Sequence, residues 1–276
     1  MTLKKIKLLT LFLIALYPTL SLALCDSSPD KFDRWISDTR KKAIAKGIGS
    51  NVLDDVFSNI TYSYSTINLD RNQTAFTLSF EDFLKKISAS NVIETGKYMK
   101  KKHADFLKKV KTNYGVSPGI LMALWGLESS FGTKTGEIHT MSALATLAYD
   151  CRRSKFFTEQ FFIALELVSD GVISADTRGA AHGEIGQFQF IPSNVKRFAI
   201  DSDRDGKADL INSHVDAIES AANLLKKNGW KKLQGYQPQE KNFHILRYWN
   251  SSAVYRKAIA YIAAHIDEIP LQNGYY

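Results

Sequence analysis

Apolar residues recur at intervals of three and four along most of the chain after residue 31, which is the spacing of helices with one buried face. The pattern predicts helices at 32–45, 52–57, 79–87, 91–112, 142–147, 155–169, 192–198, 214–228, 240–249 and 252–265. A further helix is predicted to begin at Pro118, after the capping residue Ser117, and to end at Phe131, before Gly132. Strand patterns are scarce, and 63–69 is the best candidate. The sequence therefore predicts a mainly α fold with minor extended segments.

The first 23 residues have the composition of a signal peptide. Three lysines within the first seven residues precede an unbroken apolar run at 8–17, which is shorter than the roughly 20 residues that a membrane-spanning helix needs. Small residues at Ser21 and Ala23 fit the positions that signal peptidase recognises, so we expect cleavage after Ala23 and a periplasmic protein. No repeat or linker divides residues 24–276, which we expect to form a single region.

Two cysteines, Cys25 and Cys151, follow this segment. In an oxidising compartment they can form a disulfide, although the position of Cys25 near a chain end does not require one. The alternative is a lipoprotein signal, with Cys25 acylated and the protein anchored to the outer membrane. The bulky Leu24 stands where such signals normally have a small residue, which favours cleavage after Ala23. Two cysteines at this spacing exclude a cysteine-based zinc site.

The chain has 276 residues and a formal charge of +8, which falls to +5 when the three lysines of the signal peptide are removed. A basic surface suits an anionic polymer. It suits nucleic acid equally well, but no other feature of the sequence favours that partner. Charge alone therefore does not identify what the protein binds.

An acidic residue, Glu128, lies one turn from the end of the apolar helix that begins at Pro118. Leu124 and Trp125 precede it by four and three positions, so they flank it on the same face of the helix. Loss of hydration beside these side chains and the negative end of the helix dipole should both raise the pKa of the carboxyl group. A carboxyl group that stays protonated near neutral pH is the acid that cleavage of a glycosidic bond requires. The simpler alternative is a solvated surface glutamate.

The motifs around Glu128 resemble those of the lytic murein transglycosylases of the B type. They are, in chain order, LDRNQ at 69–73, YGV at 114–116, LWGLESSFG at 124–132, ALATLA at 143–148, RR at 152–153, GEIGQFQFIPS at 183–193, DSDRDG at 201–206, DAIESAAN at 216–223, GW at 229–230 and YWN at 248–250. The resemblance extends from about residue 32 to the end of the chain, and several ordered motifs over that length are more specific than any one of them.

The resemblance implies a lysozyme-like helical fold and an enzyme that cleaves the β-1,4 bond between N-acetylmuramic acid and N-acetylglucosamine without water. Glu128 corresponds to the only catalytic carboxylate, which protonates the scissile oxygen and then takes the proton of the C6 hydroxyl, leaving a 1,6-anhydro end. Gln189 and Asn250 correspond to polar residues of the cleft, and Arg152 and Arg153 to a pair that holds the glycan or its peptide. We expect a monomer that binds glycan strands and makes peripheral or no contact with membranes.

The chain departs from the family pattern just before the Gln189 motif. The family usually has a serine and an aromatic residue followed by AGAMG, whereas this chain has AAHGEIG at 180–186. A hydroxyl is lost, and His182 and Glu184 bring in groups that the pattern lacks. If Glu184 is a second carboxylate of the cleft, the protein can be a muramidase that hydrolyses the glycan. If Glu184 is peripheral, the substitution does not change the type of reaction. A wall-binding protein whose cleft has lost activity is a third possibility.

An acidic loop at 201–216 has the spacing of a calcium site. Its three alternating aspartates precede Gly206, which allows the sharp turn of an EF-hand loop. Position twelve is Asn212 where a regular EF-hand has glutamate, and the resemblance implies that an aspartate opening the next helix supplies the last ligand. The expected ligands are the carboxylates of Asp201, Asp203, Asp205 and Asp216 and the backbone carbonyl of Lys207. The ion would be structural, with no cofactor needed for catalysis, and the alternative is an acidic surface turn.

Overall fold

The computed structural model describes residues 25–72 and 78–275, so the predicted signal peptide lies outside the described residues. This part of the chain forms mainly α-helices, as predicted. They are α1 (Phe32–Ala45), α2 (Ser50–Ser58), α3 (Tyr64–Arg71), α4 (Phe80–Lys86), α5 (Ala89–Lys102), α6 (Ala104–Tyr114), α7 (Pro118–Ser129), α8 (Thr140–Tyr149), α9 (Ser154–Ser169), α10 (Pro192–Phe198), α11 (His214–Lys227) and α12 (Ala253–Asp267). Within the described ranges, no helix has both the length and the apolar composition needed to cross a membrane.

The minor elements are short. Two 3-10 helices cover Pro29–Lys31 and Phe243–Tyr248. Two antiparallel strands form a small sheet: β1 (Ile138–His139), which follows α7, and β2 (Arg178–Gly179), which follows α9. The sheet joins the segment after Glu128 to the segment that leads into the Gln189 motif.

Two local predictions of element type are wrong. The segment at 63–69, predicted as a strand, belongs to α3, because the Ser63 hydroxyl accepts the backbone N–H of Thr66 and caps a helical turn. The segment at 240–249 contains a 3-10 helix in place of the predicted α-helix. There the side chain of Asn242 binds backbone groups of the preceding loop and holds the chain in a tighter path.

The single helix predicted at 91–112 is interrupted at His103, which separates α5 from α6. The imidazole ring of His103 packs against the rings of Trp125 and His214, with centroids 5.9 and 4.7 Å away. Apolar periodicity continues across this point, so the pattern could not reveal the break. The contacts that fix it come from α7 and α11.

Helix α7 lies at the centre of the larger hydrophobic core, where α5 and α12 pack along it. Its residues 119–126 are all buried, so the helix is stable only when other helices enclose it. Close approach of α12 requires a glycine at 119, because a Cβ there would lie 2.4 Å from the carbonyl oxygen of Ala263. Ser117 is at the predicted cap position, but its hydroxyl donates to Asp267, whose carboxylate accepts the N–H of Gly119 at 3.0 Å. Helix α12 thus covers α7 and also caps its start.

A second hydrophobic core is formed by α1, α2, α8 and α9. A disulfide between Cys25 and Cys151, with a Cα–Cα distance of 5.0 Å, joins the first described residue to the end of α8. Beside it, the N–H of Asp26 donates to the carbonyl of Tyr149 at 3.1 Å, and the Tyr149 hydroxyl donates to the carbonyl of Ser28 at 2.8 Å. The cysteine pairing that the sequence left open therefore forms at the edge of this core, where Cys151 is exposed.

Candidate active site

Glu128 is the last residue but one of α7, where the chain turns away from the helix. Helix α7 ends at Ser129, and Ser130, Phe131 and Gly132 follow with positive φ angles of 49°, 59° and 84°. The predicted end at Phe131 is therefore two residues too late. The Ser129 hydroxyl accepts the N–H of Gly132 at 2.9 Å and stabilises this turn.

The carboxyl group of Glu128 faces a cleft with a volume of about 370 Å³. The cleft is formed by α7, α10 with the segment that precedes it after β2, and α11 with the segment that follows it before α12. Its lining residues are Glu128, Ala180, Glu184, Phe188, Gln189, Phe190, Ile191, Asn194, Leu224, Tyr248, Trp249 and Asn250. Both residues that the sequence placed in the cleft beside Glu128, namely Gln189 and Asn250, are among them.

Two hydrogen bonds hold the Glu128 carboxyl group. The indole Nε1 of Trp249 and the hydroxyl of Tyr255 both donate to Oε1, each at 2.8 Å. Burial raises the pKa of Glu128 above its ordinary value of 4.5; these two bonds oppose the shift, and the nearby Glu184 adds to it. Because Oε1 takes both donors, Oε2 is the oxygen that can carry an acidic proton.

The direction of this pKa shift is as predicted from the sequence, and burial is its largest cause, but Trp125 is engaged elsewhere. Trp125 donates from Nε1 to the side-chain oxygen of Gln187 at 3.0 Å and stacks on His214 inside the core. The tryptophan bonded to the carboxyl group of Glu128 is Trp249, which comes from the segment before α12.

Gln189 and Asn250 offer complementary groups to the cleft. The side-chain nitrogen of Gln189 donates to the carbonyls of Thr135 and Gly186, at 3.0 and 2.7 Å, so its amide oxygen is the atom available to a ligand. Asn250 is arranged the other way, because its Oδ1 accepts the N–H of Ser252 at 2.9 Å. Its amide nitrogen is therefore the group that it can present.

The arginine pair is not part of the cleft lining. Both side chains bind Asp70 of α3, with Arg152 Nε 2.7 Å from Oδ2 and Arg153 bonded to Oδ1. The side chain of Asp70 is 2% exposed, and although burial acts to raise its pKa, these hydrogen bonds hold the pKa below its usual range. The predicted contact of Arg152 and Arg153 with glycan or peptide stays a prediction.

The residues that depart from the family pattern connect this ion cluster to the cleft. The His182 ring has Nε2 3.2 Å from Asp70 Oδ1 and Nδ1 3.2 Å from Glu184 Oε1. Glu184 lines the cleft together with Glu128. Burial acts to raise the pKa of Glu184, but hydrogen bonds from His182 outweigh it and hold the pKa below the usual range.

The acidic loop brings three of its predicted ligands together. Asp201, Asp203 and Asp205 each contribute a carboxylate oxygen to a group whose members lie within 4.8 Å of one another. Gly206 has a φ of 98°, and its N–H donates to Asp201 Oδ2 at 2.9 Å, which closes the turn. The three oxygens form a hard donor set of the type that Ca²⁺ prefers.

Asp216 and Lys207 are placed differently from the other predicted ligands. Asp216 is fully buried in the first turn of α11 and accepts the N–H groups of Ser202 and Asp209, at 2.8 and 2.9 Å. It therefore fixes the backbone at both sides of the acidic turn. The backbone N–H of Lys207 donates to Asp205 Oδ1 at 2.9 Å. Coordination by either residue stays a prediction.

Sequence reasoning missed the two residues that hold Glu128. Trp249 stands next to Asn250 in the YWN motif, so its position could have suggested a role in the cleft. Tyr255 lies in the first turn of α12 and carries no motif; only the packing of α12 on α7 brings its hydroxyl to the carboxyl group.

Comparison with known sequences identifies the family. The transglycosylase SLT domain matches residues 31–239. The chain belongs to this family. Over 154 residues it is 32% identical to the membrane-bound lytic murein transglycosylase B of Escherichia coli K12. That alignment covers 54% of this chain and 42% of the relative, so the similarity spans less than half of the relative's length.

Solved structures agree with this membership in the SLT family. SltB3 of Pseudomonas aeruginosa, in complex with NAG-anhNAM-pentapeptide, superposes with a TM-score of 0.80 at 26% identity, over 86% of this chain and 79% of SltB3. The Escherichia coli lytic transglycosylase Slt35, in complex with calcium, superposes with a TM-score of 0.75 at 22% identity, over 84% of this chain and 92% of Slt35. The predicted lysozyme-like helical fold is confirmed.

The buried carboxyl group gives a prediction for stability. Because the folded-state pKa of Glu128 is raised, the unfolded chain loses this proton first, and stability falls as pH rises above about 4.5. Glu128→Gln keeps the two acceptor bonds and removes this loss. Its Tm should exceed that of the parent at pH 8, with each kcal/mol worth roughly 2–4 °C. The difference should vanish near pH 4.

Thermal melts of both proteins across this pH range provide the measurement. Glu159→Gln, which alters an exposed glutamate of α9, is the matched control and should track the parent at every pH. A constant Tm difference between Glu128→Gln and the parent would contradict the assigned pKa direction.

Proposed function

We propose that this protein is a peptidoglycan lytic transglycosylase. The observation that carries the proposal is the partly buried Glu128 carboxyl group, which lines a polar cleft and whose pKa is raised by loss of solvation. Membership of the SLT family supports it, as does the similarity to SltB3, which was solved with NAG-anhNAM-pentapeptide and with NAG-NAM-pentapeptide. The substrate would be the β-1,4 bond between N-acetylmuramic acid and N-acetylglucosamine.

The cleft contains the groups that this reaction needs. Glu128 donates its proton to the glycosidic oxygen as the bond from C1 to that oxygen breaks. The resulting carboxylate, stabilised by donors on Trp249 and Tyr255, accepts the proton of the C6 hydroxyl as the C6 oxygen bonds to C1. Glu128 ends protonated, and the muramic acid ends as a 1,6-anhydro sugar. Gln189 and Asn250 position the sugars through their free amide oxygen and nitrogen.

Hydrolysis by the same cleft is the second candidate, because Glu184 adds a carboxylate that the family pattern lacks. A muramidase would use Glu128 as the acid and would leave reducing ends. An inactive wall-binding protein would retain glycan strands without cutting them. The products separate these three functions.

The first test is mass spectrometry of the products released from purified sacculi. We expect 1,6-anhydro ends from the parent and a loss of roughly 10²-fold or more in Glu128→Gln, which lacks the acid. Gln189→Ala and Asn250→Ala should lose less, because these residues position the substrate and transfer no proton. Glu159→Gln should match the parent. Reducing ends would indicate the muramidase, and comparable turnover by Glu128→Gln would refute the mechanism.

We also propose that the acidic loop binds a structural Ca²⁺ through Asp201, Asp203 and Asp205, with Asp216 and the carbonyl of Lys207 as further ligands. The convergent carboxylate oxygens support this, since like charges so close together repel unless a cation lies between them. The ion would stabilise the turn between α10 and α11, which packs against the Gln189 segment. Catalysis by Glu128 requires no metal.

Calcium should therefore raise the Tm of the protein. An ion that binds only the folded state stabilises it by about 2.7 kcal/mol at a hundredfold excess over its Kd. Magnesium should have a much smaller effect, because it resists a flexible, ligand-rich oxygen site. Asp203→Ala should abolish the response, whereas Asp33→Ala, at an exposed position of α1, should keep it. Two outcomes would contradict calcium binding: a Tm that does not change with calcium, or an Asp203→Ala protein that responds as the parent does. The loop would then be an acidic surface turn.

For localisation, we propose a periplasmic protein whose Cys25 carries no lipid. Lipoprotein acylation places a thioether on the sulfur of the cysteine, and one sulfur cannot hold both a thioether and a disulfide. The Cys25–Cys151 pairing, with the adjacent hydrogen bonds of Asp26 and Tyr149, supports the disulfide. Oxidising compartments are where such bonds persist.

Peptide mass spectrometry of the protein isolated from cells tests this localisation. A digest without reductant should contain one species in which the Cys25 and Cys151 peptides are joined, and reduction should separate it into two unmodified peptides. Cys151→Ser should yield the Cys25 peptide alone, still without lipid. An acylated Cys25 peptide in the parent would overturn the proposal.

A further inference from the structure

Glu184 is a second carboxylate in the cleft of Glu128. The family pattern has alanine at this position, and the change to glutamate here coincides with a histidine two residues earlier. The Glu184 side chain is 23% exposed and lines the same cavity as Glu128. A neutral surface substitution would leave the carboxylate in solvent, but this one is enclosed.

A chain of polar contacts fixes the orientation of Glu184. The backbone N–H of His182 donates to Oε2 at 2.8 Å, and the ring Nδ1 of His182 lies 3.2 Å from Oε1. The other ring nitrogen is 3.2 Å from Asp70, which the arginine pair holds in turn. The charged groups around the Glu184 carboxylate are His182 on its own loop, Asp70 of α3, Arg152 and Arg153 before α9, and Glu128 of α7. Both oxygens of Glu184 are therefore held from one side, while the carboxylate borders the cleft.

We propose that Glu184 is a second reaction-determining carboxylate of this cleft, positioned by His182 and Asp70 so that its fixed negative charge stabilises the positive charge that develops on the cleaved sugar. The inference rests on the proposed function and deepens it. It assigns to His182 and Asp70 a positioning role, since they act through Glu184. Glu128 remains the group that transfers protons.

The charge has two effects on the reaction. As the glycosidic bond breaks, C1 and the ring oxygen share a positive charge, and a preorganised anion in an enclosed site lowers the energy of that state. The same anion disfavours ionisation of Glu128 and so keeps the acid protonated to higher pH. Hydrogen bonds from His182, which hold the pKa of Glu184 low in spite of its burial, keep the anion available.

The test compares the full-length mature parent with Glu184→Gln and with Glu184→Ala, which restores the residue of the family pattern. We expect kcat on sacculi to fall by roughly tenfold to a hundredfold in both variants, with KM changed much less. The alkaline limb of the kcat profile should move to lower pH, because Glu128 has lost a charge that opposed its ionisation. Glu159→Gln is the control for loss of an exposed carboxylate and should change neither quantity.

Non-additivity identifies the positioning role of His182. His182→Ala should lower kcat, but in combination with Glu184→Gln it should lower kcat no further, since the group on which it acts is already gone. Melting curves of each variant establish that the fold is kept. Fully multiplicative losses would overturn the assignment of His182.

A readout independent of turnover is the pKa of Glu128 itself, followed by carbon NMR of glutamate-labelled protein. The pKa should be lower in Glu184→Gln than in the parent and unchanged in Glu159→Gln. This distinguishes failure of the inference from failure of the proposed function, which the Glu128→Gln product assay tests separately. An unchanged Glu128 pKa with an unchanged kcat profile would overturn the inference. A Glu184→Gln variant that changes only the proportion of reducing to anhydro ends would also overturn the inference. That result would identify Glu184 as the general base that activates water for hydrolysis.

Discussion

Burial of one carboxyl group imposes most of the architecture around the cleft. A carboxyl group removed from water must be neutral or well bonded, and Glu128 satisfies this with two donors, Trp249 and Tyr255. Both donors come from the far end of the chain, so α12 has to pack closely along α7. The glycine at 119 permits that approach, and Asp267 caps α7 from the other end of α12. The same helix pair therefore sets the stability of the core and the protonation of the acid.

The sequence predicts this arrangement only in part, and the division has a physical cause. The limits of α7 are encoded locally, by Pro118 at its start and by Gly132 beyond its end. They are therefore predicted to within two residues. Glu128 is also identified locally, because the LWGLESSFG motif at 124–132 surrounds it, whereas the end of an apolar helix alone would equally fit a solvated glutamate. Partners at large sequence separation are not encoded locally. Trp249 and Tyr255 reach Glu128 across more than a hundred residues, and no periodicity reports such a contact.

Errors in element type have the same origin. The break at His103 follows from stacking against α7 and α11, which a single apolar pattern over 91–112 cannot show. The segment at 63–69 is a different case: β-branched and aromatic residues there favour a strand, but a local cap, the Ser63 hydroxyl accepting the N–H of Thr66, begins a helix. Arg152 and Arg153 carry a family motif, and the motif does not reveal that both bind Asp70, which connects them through His182 to Glu184.

The disulfide has a consequence for the order in which the molecule assembles. Cys25 and Cys151 are 126 positions apart, and a chain that emerges from its N-terminus presents Cys25 long before its partner. Until the chain beyond α8 has been made, the first helices lack the constraint of this disulfide. Closing a loop of this size removes conformational freedom from the unfolded chain equivalent to roughly 4.7 kcal/mol. The covalent link between the start of the described chain and α8 therefore becomes possible only once the chain has been made as far as Cys151.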